Sequence, residues 1–344
     1  MKRVLIVRAS AIGDVVFASP FAAALKRSHP DAHLTWLVEP GIDELLQADP
    51  AIDALVLWPK AEWKRLWKTH RYVELLRQIR ALRRTLRAGA FDVAIDLQSL
   101  LKSGLLTRLS GAPRRIGLGS REGSQWLMTE VVPKGGPERR ISSEYLHLAG
   151  HLGLDTADFL PRLHVADDVA LRSRALLAEH GLAPDGYAVL APFTTRPQKH
   201  WFEHHWQALL PMIRDEFNLT PVLLGGPADR DAAARIAAAM PGAVSLAGRT
   251  RLPEAASLVR DAALLIGVDT GLTHMGIAFA TPTVALFGST RPYLDTGRAN
   301  ARVIWLGLAC SPCRRRPTCD GAFTCLRDIQ PQRVVEEAHR ALAA

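Results

Sequence analysis

The sequence predicts an α/β protein made of two doubly wound parallel sheets that face each other across a cleft. Three observations carry that prediction. Short apolar runs alternate with amphipathic helical patterns along almost the whole chain, as parallel sheets covered on both faces require. The 344 residues exceed the ~100–150 of an ordinary domain and suit two. A stretch rich in turn signals, "ADD" and "GLAPDG" within Leu163–Gly186, divides the runs into two groups.

The first group of strands is Val4–Val7, Leu34–Val38, Ala54–Trp58 and Val93–Leu97. The second is Tyr187–Pro192, Pro221–Leu224, Ala243–Leu246, Ala263–Ile266, Thr283–Phe287 and Val303–Leu306. Helical spacing separates most of them, as in Phe21–Ser28, Ala170–Glu179 and Asp229–Ala239. Domains are expected over 1–165 and 186–330. In the tail, Pro331 stands early and Val334, Val335, Ala338 and Leu342 recur at helical spacing. A closing helix over 331–344 is expected, packing back on the first domain. In such sheets ligands bind at the strand C-termini, where the chain turns into helices.

No segment reads as membrane-spanning. The longest apolar stretch, Ala262–Gly288, is broken by Asp269, Thr270 and His274. The N-terminal run Val4–Val7 ends at Arg8, short of the ~7–15 residues of a signal-peptide core. Cytoplasmic residence is the expectation. Of the net charge of +9, eight units lie between Lys60 and Arg87, where ten Lys/Arg meet only Glu62 and Glu74. A concentrated surplus makes a directed field toward an anionic partner. Trp63, Leu66, Trp67, Ile79, Leu82 and Leu86 recur there at roughly helical spacing. Tryptophans beside basic residues suit an anionic membrane surface. Nucleic acid is not expected, because no recognised binding fold accompanies the charge.

Three stretches carry candidate chemistry. In "RVLIVRASAIGDVVFASP", residues 3–20, a strand runs through a loop into a helix with one glycine, Gly13, followed by Asp14. The G-x-G-x-x-G fingerprint is missing, which argues against a dinucleotide dehydrogenase. Taken alone, Asp14 reads as a helix N-cap. In "LIGVDTGLTHMGIAFATPTVALFG", residues 265–288, Asp269, Thr270 and Gly271 turn a buried strand into a helix, with His274 one turn in. Gly271 lets backbone amides approach a ligand, and the helix N-terminus attracts a phosphate. In "APFTTRPQKHWFEHHW", residues 191–206, Thr194, Thr195, Arg196 and Lys199 make a second anion-facing loop. Its histidines, His200, His204 and His205, read as solvated side chains, and its tryptophans as core. All the cysteines, Cys310, Cys313, Cys319 and Cys325, fall in "CSPCRRRPTCDGAFTC". This cluster reads either as a closed thiolate site for a structural zinc or as free thiols or a redox pair.

"RASAIGDVVFASP", "DLQSLLKSG", "TTRPQKHW" and "VDTGLTH", in this order and spacing, resemble the ADP-heptose:lipopolysaccharide heptosyltransferases of glycosyltransferase family 9. The likeness spans nearly the whole chain. It implies the two-domain GT-B fold, an acceptor-binding first domain and a nucleotide-sugar-binding second one. It also implies inverting transfer of L-glycero-D-manno-heptose from ADP-heptose to the Kdo/inner-core region of lipopolysaccharide, with no cofactor or metal needed for the chemistry. Asp14 would be the general base; a carboxylate is a weak base at neutral pH, so it would take the proton late in the attack. The donor contacts would fall on Thr194, Thr195, Lys199, Asp269, Thr270, Gly271 and His274. Lys199 and the helix N-terminus after Gly271 would stabilise departing ADP. Asp229, in "GGPADRD", would meet the nucleotide ribose. Lys64, Arg65 and Arg121 would meet the anionic acceptor, Kdo-lipid A or a heptosylated inner core. The protein would then sit peripherally on the cytoplasmic face of the inner membrane.

"TTRPQKHW" is closest to the first heptosyltransferase, and the cysteine cluster is more like the second. A heptosyltransferase of the second or third type therefore stays open, as does another nucleotide-sugar enzyme or a non-catalytic nucleotide- or glycolipid-binding protein of the same fold.

Overall fold

Twelve strands in two parallel sheets organise the chain, and the computed structural model describes residues 1–313 and 316–344. The first unit comprises 1–138 and 142–164; the second comprises 139–141 and 165–344. The first unit runs β1 (Arg3–Val7), α1 (Ile12–Ser28), β2 (His33–Val38), β3 (Ala54–Leu57), α2 (Lys60–Lys68) and α3 (Tyr72–Ala88). It continues with β4 (Val93–Asp96), α4 (Leu101–Ser110), β5 (Arg114–Leu118), β6 (Glu130–Val132) and α5 (Ser143–His151).

The second unit begins with α6 (Asp167–Ala178), β7 (Tyr187–Ala191), α7 (Glu203–Phe217), β8 (Thr220–Leu223), α8 (Arg230–Ala237), β9 (Val244–Ser245) and α9 (Leu252–Arg260). It ends with β10 (Leu264–Val268), α10 (Gly271–Phe279), β11 (Thr283–Phe287), β12 (Ala301–Trp305), α11 (Thr324–Arg327) and α12 (Pro331–Leu342).

The sheet orders are β3-β2-β1-β4-β5-β6 and β12-β11-β10-β7-β8-β9. Counted from its own first strand, each sheet therefore has the order 3-2-1-4-5-6. The order reverses between β1 and β4 in one and between β7 and β10 in the other. A crevice opens at such a reversal because the two crossovers leave on opposite faces of the sheet. The central strands β1, β7 and β10 are almost wholly buried and read as unbroken apolar runs, as strands covered on both faces must.

Two strands escape the apolar-run reading. β5 opens on Arg114 and Arg115, and β6 has only three residues. Arg114 pairs with Glu130 at 2.9 Å, and Arg115 reaches the Leu127 carbonyl, so the charges are used at the sheet edge. The closing helix also differs from expectation. α12 packs on α7, β11 and β12 and belongs to the second unit. Val334, Val335 and Ala338 enter the second unit's core. The indole of Trp201 donates to the Ile329 carbonyl at 2.9 Å, which ties the segment before α12 to the same unit. Burial of ~1.5–3 kcal/mol per valine holds the helix there. Among the described residues no helix is long and apolar enough to cross a membrane.

Candidate active site

In the first unit β1 delivers the chain to a loop, Arg8–Ala11, that three neighbours fix in place. The Ala9 amide donates to Gln98 Oε1 at 2.9 Å, and the Ser10 hydroxyl donates to Glu39 Oε1 at 2.6 Å. The Arg8 carbonyl accepts from the Trp36 indole at 3.0 Å. Gln98 is delivered by a turn built on Asp96. This carboxylate is fully buried, is pushed up by that burial, and accepts from the Gln98 and Ser99 amides and the Ser103 hydroxyl.

Asp14 is the third residue of α1 rather than its cap, and its carboxylate accepts the Ala11 amide at 3.3 Å. The same oxygen pairs with Arg8 Nη2 at 2.7 Å, with the Asp14 side chain 47% exposed. Arg8 itself is buried and also donates to the Leu97 carbonyl at 3.0 Å. Burial opposes its charge; Tyr145, Asp14 and Glu144 outweigh that and hold its pKa above the ordinary value. A buried cation thus aims a solvent-reachable carboxylate at the mouth of β1.

In the second unit the loops after β7 and β10 meet over the reversal point. Lys199 Nζ lies 2.5 Å from Asp269 Oδ2 and donates to the Asp269 carbonyl at 3.1 Å. The same carboxylate oxygen accepts the Thr290 hydroxyl at 2.5 Å, and the other lies 3.1 Å from His274 Nε2. His274 Nδ1 is 2.7 Å from the Tyr293 hydroxyl. An ionised Asp269 accepts, which places a ring proton on Nε2. Burial would raise the Asp269 pKa, but the His274 bond and the charges of His274 and Lys199 hold it well below the usual carboxylate range.

Thr270 is the N-cap of α10 and its side chain makes no capping bond. The first amides of α10 therefore follow directly on the Lys199–Asp269 pair, with the donor character of every helix start. The other loop is closed by His200 Nε2 on the Thr194 carbonyl at 2.9 Å, while Thr195 is exposed.

Beside this loop lies a hollow of about 360 Å³, lined among others by Phe193, His200, Trp201, Phe202, Asp229 and Phe323. Asp229 Oδ2 accepts the Gly226 amide at 2.7 Å. Gly225 underlies the hollow: a Cβ there would stand 2.6 Å from the Phe193 ring and 3.0 Å from Asp229 Cβ. The neighbouring histidines are not all solvated, since His205 is buried, its pKa lowered by burial, against the Arg327 carbonyl.

The sequence model described as "Glycosyltransferase family 9 (heptosyltransferase)" matches residues 79–322, well over half of the chain. The chain belongs to glycosyltransferase family 9. It is 29% identical to lipopolysaccharide heptosyltransferase 1 of Pseudomonas aeruginosa, over 99% of this chain and 98% of that one. The family 9 fold is shared with the glycosyl transferase family 9 crystal structure from Veillonella parvula, at a TM-score of 0.86 and 20% identity, covering 99% and 97% of the two chains. The Escherichia coli ADP-heptose lps heptosyltransferase II structure aligns with a TM-score of 0.77 and 25% identity, over 100% and 99%. The two sheets are those of a GT-B glycosyltransferase.

For this family 9 chain, then, the residues singled out in sequence fall into separate sets. Lys199, Asp269 and His274 touch; Thr194 and Thr195 share their loop, and Thr270 and Gly271 start α10. Asp229 lines the same hollow as does part of that loop. Lys64 and Arg65 are exposed on α2, and Glu62 holds Arg65 at 2.6 Å. Arg121 is exposed after β5, which three strands separate from β3, the strand that leads into α2.

The zinc expectation is corrected. Among the described residues no group of three or more His, Cys, Asp or Glu is placed to hold a metal ion, and all four cysteines are free thiols. Cys325 is buried in α11 against the core, and that burial, with the thiols of Cys313, Cys310 and Cys319 nearby, pushes its thiol up to about 11.

Thr290 and Tyr293 were not expected from sequence. Each reaches the site from the loop after β11, about twenty positions beyond the residue it bonds, because β11 lies beside β10. Gln98 was missed for the same reason, since Ala9 is its neighbour across strands; Arg8 pairs with Asp14 only six positions on, a local contact that no motif signalled.

Proposed function

We propose that this family 9 glycosyltransferase moves L-glycero-D-manno-heptose from ADP-heptose to the Kdo/inner-core region of lipopolysaccharide, with inversion at the anomeric carbon. The observation that carries the reading is the Lys199–Asp269–His274 constellation beside the α10 N-terminus, at the reversal point of the second sheet. The relatives' names, lipopolysaccharide heptosyltransferase 1 and ADP-heptose lps heptosyltransferase II, supply the sugar.

In this reading the acceptor hydroxyl attacks the anomeric carbon on the face opposite the diphosphate. Its proton passes to Asp14, and the bond from the anomeric carbon to the phosphate oxygen breaks. The electron pair leaves with ADP. Lys199 and the first amides of α10 stabilise the negative charge that collects on the β-phosphate, the kind of preorganised electrostatics that dominates such steps. Thr194 and Thr195 add hydroxyl donors, and Asp229 accepts from the ribose hydroxyls. Asp269, with Thr290 and His274, orients Lys199. The hollow lined by Phe193, Trp201 and Phe202 receives the base. Lys64, Arg65 and Arg121 meet acidic groups of the acceptor, and the enzyme works as a peripheral protein on the cytoplasmic face of the inner membrane.

The test is incubation with ADP-heptose and defined Kdo-lipid A acceptors, with and without a first heptose, read by mass spectrometry. One added heptose on the unheptosylated acceptor supports the first-enzyme reading. Addition only to the heptosylated acceptor assigns the second or third type. ADP binding with no product on any acceptor refutes catalysis and leaves a binding protein.

A further inference from the structure

The part of the basic surplus carried by α3 is not used in the proposed chemistry, and its geometry is distinctive. α3 buries Leu75, Leu82 and Leu86. On the other side Arg77, Arg80, Arg83, Arg84 and Arg87 line a shallow groove of about 560 Å³. Among the described residues no carboxylate pairs with any of these five, whereas Arg65 and Arg71 are taken up by Glu62 and Glu74. At ~100° per residue, Tyr72, Val73 and Leu76 fall on the same ~140° arc as the five arginines. They are 43%, 66% and 50% exposed. Trp67, at the end of α2 and 63% exposed, sets its ring 5.3 Å from that of Tyr72. One helix face thus joins an aromatic and aliphatic tip to a stripe of uncompensated guanidinium groups.

We infer that this face, the α3 arginine stripe with the Trp67–Tyr72–Val73–Leu76 tip, docks the protein on an anionic phospholipid bilayer. The inference deepens the proposed peripheral association and rests on that reading for the surface involved. Guanidinium groups meet lipid phosphates, and the tip enters the boundary between headgroups and acyl chains. Nucleic acid would account for the arginines but leaves Val73 and Leu76 without a role.

The test is sedimentation of the full chain with vesicles of phosphatidylcholine alone and of phosphatidylcholine with about one third phosphatidylglycerol. Wild-type protein is expected to sediment with the anionic vesicles only. At about fivefold per arginine, Arg77→Gln/Arg80→Gln/Arg84→Gln should lower partitioning about 100-fold. Val73→Ser/Leu76→Ser should weaken it independently. Heptose transfer to a deacylated, soluble acceptor should be unchanged in both. Equal binding to neutral vesicles, or wild-type partitioning by the arginine variant, would overturn the inference. So would loss of turnover on the soluble acceptor, which would put α3 in the acceptor site. Anionic-vesicle binding lost in the variants, together with no transfer by wild type, would uphold the docking face and count against the proposed reaction instead.

Discussion

Replacing Asp269 by Asn tests the second-unit site in its most quantitative form. The change is nearly isosteric but removes the charge opposite Lys199 and weakens the bonds to Thr290 and His274. Breaking a buried ion pair from one side costs about 3–5 kcal/mol, because the remaining charge is stranded. Lys199 and Asp269 keep 16% and 13% side-chain exposure. Water reaches them a little, so the low end, about 3 kcal/mol, is expected. With an m-value of about 3 kcal/mol per molar urea, the midpoint of the second unit should fall by about 1 M.

Trp201 and Trp206, both buried in that unit, report the transition by fluorescence. The pH dependence gives a second reading. The folded-state pKa of Asp269 is depressed. Its stabilisation is therefore complete above the ordinary carboxylate value near ~4 and is lost as pH falls below it toward the folded value, by up to ~1.4 kcal/mol per pH unit. The gap between wild type and Asp269→Asn should narrow accordingly between about pH 4 and pH 3. An unchanged midpoint at neutral pH, or a gap of constant size on acidification, would refute the pairing argument.

Asp14→Ala should lower transfer by ~10²–10⁴ while ADP affinity, measured by calorimetry, stays within about twofold. Gln98→Ala removes the acceptor of the buried Ala9 amide and should cost about 1–3 kcal/mol in a denaturant titration, with a fall in turnover as the Asp14 loop loosens. Tyr293→Phe leaves His274 Nδ1 without its hydroxyl partner and should weaken ADP binding while the protein stays folded by circular dichroism. Iodoacetamide at mildly alkaline pH should consume exposed Cys310 and spare Cys325, whose burial raises its pKa to about 11; peptide mass mapping reads the order.

Much of the architecture was legible because strands covered on both faces carry short apolar runs, and such runs mark ten of the twelve strands. β5 and β6 are not so marked: β6 is the edge strand and β5 lies beside it, where arginines pair with Glu130 and the Leu127 carbonyl. α12 was legible as a helix but not in its packing, because an amphipathic stripe states that a face is buried and not against what. At the tip of α2, Trp67 follows helical spacing yet points outward, on a helix only nine residues long, because spacing alone does not say which face is buried. Lys199 and Asp269 were legible because each follows a strand, and strand ends gather at the reversal point. The cysteines left a metal site and free thiols both open, since proximity in sequence fixes neither the distance nor the protonation state a metal needs.

The missing side chain at Gly225 has a consequence for what the hollow beside Asp229 will admit. Phe193 and Asp229 stand where they do only because no carbon occupies the space behind them. A single methyl group at this position, itself no part of the wall, would displace the aromatic ring and press on the acid. The width of the chamber is set from outside it, by an atom that is not there, so selectivity for the occupant can be altered without touching any residue that meets it.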